Sequence, residues 1–137
     1  KRDILRSARY YGVPFNFPAK FPLSAVTPSR AYYWLHGQDC TKAREFARAA
    51  FRAYWVDGRD ISDMVVVLDI AAGLGVDRDA LSAGMVTPEI KERLKVETDT
   101  AIAKGMCGAP YFVIDGEPFW GADRLPQIEK WLATGGF

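Results

Sequence analysis

The residues best able to do chemistry lie between Gly105 and Arg124, in the run GMCGAPYFVIDGEPFWGADR. Pro110 stands at the mouth of the apolar segment Tyr111 to Ile114, a setting that suits a tight turn holding a cis X-Pro bond. The residue before such a proline, Ala109, presents its backbone N–H and C=O at a strand edge, where an extended ligand can pair as an added strand would. Only the backbone is used, so the side chain at 109 is not critical. Beyond it, Trp120-Gly121-Ala122-Asp123-Arg124 leads into a helix. Backbone N–H groups at a helix start receive a carboxylate and an Asp there faces an ammonium, so Gly121 to Arg124 suit the end of an amino-acid zwitterion. A second reading stays open, in which Asp123 simply caps its helix.

Other chemistry-bearing residues are more isolated. His36 is the single histidine, near the end of an apolar helix with no cysteine or serine partner in view, and reads as a surface or capping residue. Cys40 and Cys107 are far apart, with no CxxC and no metal-type spacing. Both are expected to be free thiols buried as small hydrophobes, with Cys107 structural rather than redox-active. No metal site is expected.

The elements that must position these residues follow from local pattern. Asp115-Gly116 joins Tyr111–Ile114 to Glu117–Trp120 as a type I′ hairpin. The next helix should run from Arg124 to about Leu132 with Asp123 as N-cap, and Leu125, Ile128 and Leu132 should lay one face on the hairpin. Upstream, helices are predicted for Lys1 to Tyr11, with Ile4, Leu5 and Ala8 on one face; from Thr27-Pro28 through Leu35; and from Cys40 to Val56, with Ala43, Phe46, Ala47, Ala50 and Tyr54 as the core stripe. Others are predicted from a Ser62 cap through Ala72, from Asp79 to about Met85, and from Thr87-Pro88 through Lys104, ended by Gly105. Pro14, Pro18 and Pro22, interleaved with Phe15, Phe17 and Phe21, should form an extended loop packed through its rings. A two-stranded hairpin alone is marginal in water, so something should complete the sheet on the edge of Tyr111–Ile114.

Composition narrows the partners. A chain of 137 residues with 49% hydrophobic residues has the size of one domain and enough material for a core. Interspersed charges, 18 Lys plus Arg against 17 Asp plus Glu, lack the basic footprint of a nucleic-acid binder. No stretch approaches the roughly 18 apolar residues of a membrane span. A small-molecule or protein ligand and a cytoplasmic, reducing compartment are expected, the latter from unpaired cysteines and no secretory leader at the start of the sequence.

These residues also carry a resemblance. Gly108-Ala109-Pro110, the Asp115-Gly116 hairpin and Phe119-Trp120-Gly121-Ala122-Asp123-Arg124-Leu125 resemble the 2-hydroxychromene-2-carboxylate isomerases and kappa-class glutathione transferases, of the DsbA-like branch of the thioredoxin fold. Asp3, Arg6, Ala8, Gly12, Pro14, Pro22 and Arg30 look like that family's helix and proline-rich loop, while Ser24 and Ala25 stand where its usual Asn-Thr or Asn-Ser pair would be. The resemblance implies an α/β, thioredoxin-like fold with a large helical insertion: residues 1–86 as the insertion, residues 87–137 as the C-terminal half of the thioredoxin-like domain. The N-terminal strand-helix-strand unit, with the serine that holds the glutathione thiol, is expected upstream of Lys1 or from another chain, so the catalytic residue is not among these positions. Glutathione is the implied cofactor, held by Ala109, Pro110, Trp120, Gly121, Ala122, Asp123 and Arg124. Arg30 matches a position where related isomerases place a cation facing the substrate carboxylate, although a solvated arginine in the first helical turn would look the same. The implied reaction is cis-trans isomerisation of an aromatic unsaturated keto acid, and a homodimer is expected separately, from the unpaired edge of Tyr111–Ile114. A kappa-type transferase, a dithiol-disulfide oxidoreductase with its CxxC upstream, and a non-catalytic fragment are the alternatives.

Overall fold

The structure is a computed structural model and describes residues 2–137. The order of elements is α1 (Arg2–Tyr11), α2 (Val26–His36), α3 (Cys40–Trp55), α4 (Met64–Ala72), α5 (Arg78–Gly84), α6 (Pro88–Ala103), β1 (Tyr111–Ile114), β2 (Glu117–Trp120), a 3₁₀ turn (Ala122–Arg124) and α7 (Leu125–Thr134). Two compact units divide inside α6, Lys1–Leu94 and Lys95–Phe137, a boundary later than the expected 86/87.

The first unit is helical. The stripe expected on α3 is its centre: Ala43, Phe46, Ala50, Ala53 and Tyr54 are buried against Ala31 and Leu35 of α2, Val67, Leu68, Ile70 and Ala71 of α4, and Leu81 of α5. Ala53 extends the stripe, and Ala47 is only half-buried. Close approach of α5 to α2 depends on Gly84, because the Trp34 indole occupies the space a Cβ there would need. The proline-rich segment does pack through its rings. Phe15 stacks on Trp55 with centroids 5.5 Å apart, Phe21 lies 5.9 Å from the same indole, and Phe17 meets Phe21 edge-on at 5.1 Å. Backbone contacts fasten the loop to the end of α3: Asn16 N donates to Trp55 O at 2.7 Å, Asn16 Nδ2 to Val56 O at 2.5 Å, and Tyr54 Oη to Lys20 O at 2.8 Å. A cis peptide at Phe21-Pro22 accompanies this turn. The expected apolar face of α1 is present but exposed, with no residue of that helix buried.

Several caps differ from expectation. Ser62 does not cap α4; Asp63 does, accepting from Val65 N at 2.8 Å, while Ser62 bonds to Asp60. Asp63 prevails because its backbone is extended, leaving its carboxylate over the first free amides. Thr27 does not open α2, which begins at Val26; its hydroxyl donates to Ser62 O at 3.0 Å instead. Asp39 and Asp77 cap α3 and α5.

In the second unit, β1 and β2 pair antiparallel, Tyr111 opposite Trp120 and Ile114 opposite Glu117. Asp115 and Gly116 both adopt positive φ, 53° and 87°, as a type I′ turn requires. Among the described residues the sheet has these two strands. On α7 only Ile128 is buried. Leu125 and Leu132 are exposed, so the helix is attached through Ile128 and through Trp131, whose ring lies edge-on to Phe119 at 5.8 Å, rather than through the whole expected stripe of Leu125, Ile128 and Leu132.

Candidate functional site

The peptide Ala109-Pro110 is cis, as its position before an apolar strand predicts. Pro110 O accepts from Gly121 N at 3.0 Å, so the hairpin ladder continues one step past Trp120 and brings Gly121 alongside the proline. Ala109, Pro110, Trp120 and Gly121 are therefore held together by strand register. Ala109 and Pro110 are exposed, and the other edge of β1 carries no strand among the described residues.

Chain direction changes at Gly121. Its φ of 111° and ψ of 152° are open to glycine alone, and from it the 3₁₀ turn Ala122–Arg124 begins, with Arg124 N donating to Gly121 O at 3.2 Å. This turn overrules the assignment of Asp123 as N-cap. The residue at the N-cap of α7 is Arg124, with no side-chain cap, and Asp123 sits inside the turn one step earlier. Pro126 in the first turn of α7 removes one of the amides a cap would have served. The Asp123 carboxylate instead folds over Gly121, so close that a Cβ at 121 would collide with Oδ1, and it approaches the Arg124 guanidinium at 3.8 Å. It remains largely exposed. Ala122, Asp123 and Arg124 thus share one turn next to the Ala109-Pro110 edge.

Arg30 lies on α2, in the first unit. It is half-buried, and its Nε is buried without a hydrogen-bond partner among the described residues. Arginine is a donor at every nitrogen, so such a group is completed by an acceptor, above all an anionic one. His36 is exposed at the end of α2, its Nδ1 3.1 Å from Arg93 Nη2. Because arginine only donates, that ring nitrogen is the acceptor. Both cysteines are free and exposed, which corrects the expectation that they are buried: Cys40 opens α3 on its outer side, and Cys107 is in the loop before Gly108. Among the described residues no group of His, Cys, Asp or Glu could hold a metal ion, and no helix is long and apolar enough to cross a membrane.

Two features escape sequence reading. Asp115 Oδ2 accepts the Trp131 indole N–H, tying turn to helix. The Trp120 indole leans back onto Gly108, where a Cβ would stand 2.5 Å from Nε1. The signal for each was only a residue type: an Asp at the first turn position, and a Gly two places before the proline.

Comparison with known proteins identifies the family and the fold. The model of the DSBA-like thioredoxin domain matches residues 1–133. A 2-hydroxychromene-2-carboxylate isomerase of Sphingobium xenophagum is 34% identical over 130 residues, covering 95% of this chain and 65% of that protein. A kappa-class glutathione transferase of Caenorhabditis elegans, glutathione S-transferase kappa 2, is 31% identical over 144 residues, covering 96% of this chain and 64% of that protein. The chain therefore spans a little under two thirds of these relatives. A solved 2-hydroxychromene-2-carboxylate isomerase superposes with a TM-score of 0.84 at 26% identity, covering 96% of this chain and 63% of that one. The cytosolic disulfide reductase DsbM of Pseudomonas aeruginosa, solved with GSH, shares the fold at a TM-score of 0.70 and 23% identity, covering 94% of this chain and 69% of that one.

Proposed function

Because the chain belongs to the DSBA-like thioredoxin domain family, we propose that it forms the glutathione-binding and substrate-facing part of a glutathione-dependent cis-trans isomerase acting on an aromatic unsaturated keto acid. Residues 1–86 are the helical insertion in this reading, and residues 87–137 the C-terminal half of the thioredoxin-like domain. The observation that carries it is the hairpin register, which sets the exposed Ala109-Pro110 edge beside the Gly121–Arg124 turn. An extended cysteinyl peptide pairs with the backbone of Ala109, and its γ-glutamyl end, an ammonium and a carboxylate, meets the Asp123 carboxylate and the amides of the turn.

Pro110 shapes the edge, Gly121 lets the chain turn, and Arg124 partners Asp123. Arg30, with its buried and unmatched Nε, is assigned to the substrate carboxylate. The residue that holds the glutathione thiol lies outside positions 1–137 in this reading. Glutathione thiolate adds to the conjugated carbon–carbon double bond, leaving a single bond about which rotation occurs; elimination re-forms the double bond and returns the thiolate. The thiol is neither oxidised nor reduced. A cytoplasmic setting and a homodimer belong to the same proposal.

Calorimetric titration of the full-length protein with glutathione tests it, together with an absorbance assay of isomerisation. Removing the Asp123 carboxylate in Asp123→Ala should cost about 1.5 to 3 kcal/mol, a loss of tenfold or more in affinity. Since Asp123 caps no helix, thermal stability of this variant should stay within about 0.5 kcal/mol of the parent. Glutathione affinity that survives the substitution unchanged removes Asp123 from the site. Binding without isomerisation, but with release of a glutathione conjugate, reassigns the protein to the transferase reading that its kappa-class relatives favour.

A further inference from the structure

We propose that Gly108 is a positioning residue, seating the Trp120 indole so that its N–H faces the ligand edge at Ala109 and donates to a carbonyl or carboxylate of the bound thiol peptide. The inference rests on the glutathione reading of this edge and goes beyond it. Trp120 is 58% exposed, so core burial does not account for its place. What locates the ring is the bare Cα of Gly108: a Cβ there would stand 2.5 Å from Nε1, 3.0 Å from Cε2 and 3.2 Å from Cζ2. Distances that short are repulsive, so any larger residue lifts the indole.

The backbone at 108 does not itself demand glycine. Gly108 is absent from the positive-φ positions, unlike Gly105, Gly116 and Gly121, so a methyl group is tolerated by the chain and rejected only by the ring. The indole Nε1 lies against Gly108, the chain neighbour of Ala109, and Trp120 itself stands opposite Tyr111 and next to Gly121. An indole nitrogen is a donor only, so the chemistry it recognises is an acceptor oxygen. The Ala109 edge and the Trp120 N–H together address the main chain of one extended peptide, while the Gly121–Arg124 turn addresses its charged end.

The full-length protein labelled with 5-fluorotryptophan separates the parts of this inference, with Trp120→Phe assigning the resonance by ¹⁹F NMR. Gly108→Ala should shift the Trp120 resonance in the ligand-free protein, leave the Trp34, Trp55 and Trp131 resonances in place, and weaken glutathione binding about tenfold, the scale of one lost hydrogen bond. In a Trp120→Ala background the same substitution should have no further effect on affinity. An unmoved Trp120 resonance in Gly108→Ala overturns the seating. Equal losses from Gly108→Ala with and without the indole show that Gly108 acts by another route, and also overturn it. Binding that Gly108→Ala leaves unchanged overturns this inference alone, whereas a parent protein that binds no glutathione overturns the functional reading and this inference with it.

Discussion

The indole N–H of Trp131, on α7, donates to Asp115 Oδ2, in the turn of the hairpin, at 3.0 Å. The same ring meets Phe119 of β2 edge-on and Phe137 at 5.5 Å. One side chain thus joins helix, strand and turn, and Asp115 serves twice, as acceptor and as the residue at φ 53°.

Asp115→Ala should therefore cost about 1 to 2 kcal/mol, from a lost hydrogen bond and from placing alanine in the left-handed region. Asp115→Gly keeps the backbone freedom and loses only the acceptor. Chemical denaturation of both variants should rank them parent, Gly, Ala; equal stability of parent and Ala variant would contradict the double role.

At Gly84 two effects oppose each other. Alanine is favoured over glycine inside a helix by about 1 kcal/mol. A Cβ at this position, however, lies within the Trp34 indole, and overpacking typically costs about 1 to 3 kcal/mol. Gly84→Ala should be net destabilising, whereas Gly84→Ala combined with Trp34→Leu should recover much of the loss. A stabilised single variant by thermal denaturation would show that the ring moves without penalty.

Acid should loosen the proline-rich loop. Hydrogen bonds first from Lys20 Nζ and then from Ser62 hold the Asp60 carboxyl down at about 2, against an ordinary value of 3.8. A carboxyl depressed in the folded state contributes stability in full above its unfolded value and loses it as pH falls from about 4 towards 2. The difference in melting temperature between the parent and Lys20→Met should accordingly be constant near neutrality and shrink across that window. A difference that does not change with pH would assign the Lys20 effect to packing.

Phe46 is the largest side chain in the first unit that is almost completely buried, at 1% exposure. Phe46→Ala should cost about 3 to 5 kcal/mol by the removal of apolar contacts and the cavity left behind. Equilibrium denaturation measures it, and a loss below about 1 kcal/mol would mean the helices close over the gap.

Much of this was legible beforehand where local chemistry decides the outcome. Asp115-Gly116 has few conformations other than the tight turn it forms, and the α3 stripe at Ala43, Phe46 and Ala50 has one face to bury. The positions of Ala109, Pro110, Trp120 and Gly121 followed from that turn, because hairpin register determines them. Capping was less legible. Ser62 and Asp63 are adjacent candidates, and the choice depends on which one has extended backbone; Asp123 lost its assigned place because a 3₁₀ turn intervened before α7. The faces of Ile4, Leu5, Leu125 and Leu132 were visible as patterns, but periodicity reports that a face is apolar and not whether these residues are covered. Gly108 was invisible as a seat, since only the folded ring direction of Trp120 reveals it.

The tether between Asn16 and the end of α3 makes two distant parts of the chain one cooperative unit. The last carbonyls of a helix have no partners inside it. Here that of Trp55 is taken up by an amide 39 residues earlier, and that of Val56 by the Asn16 side chain. The end of α3 is consequently protected from fraying only while the proline-rich loop is docked, and the loop, which has no ladder of its own, is ordered only while α3 is wound. Amide exchange at Asn16 should then occur with the same opening free energy as the last turn of α3, rather than at the rate of an exposed coil. A segment that reads as a connector is in this respect the helix's distant final turn.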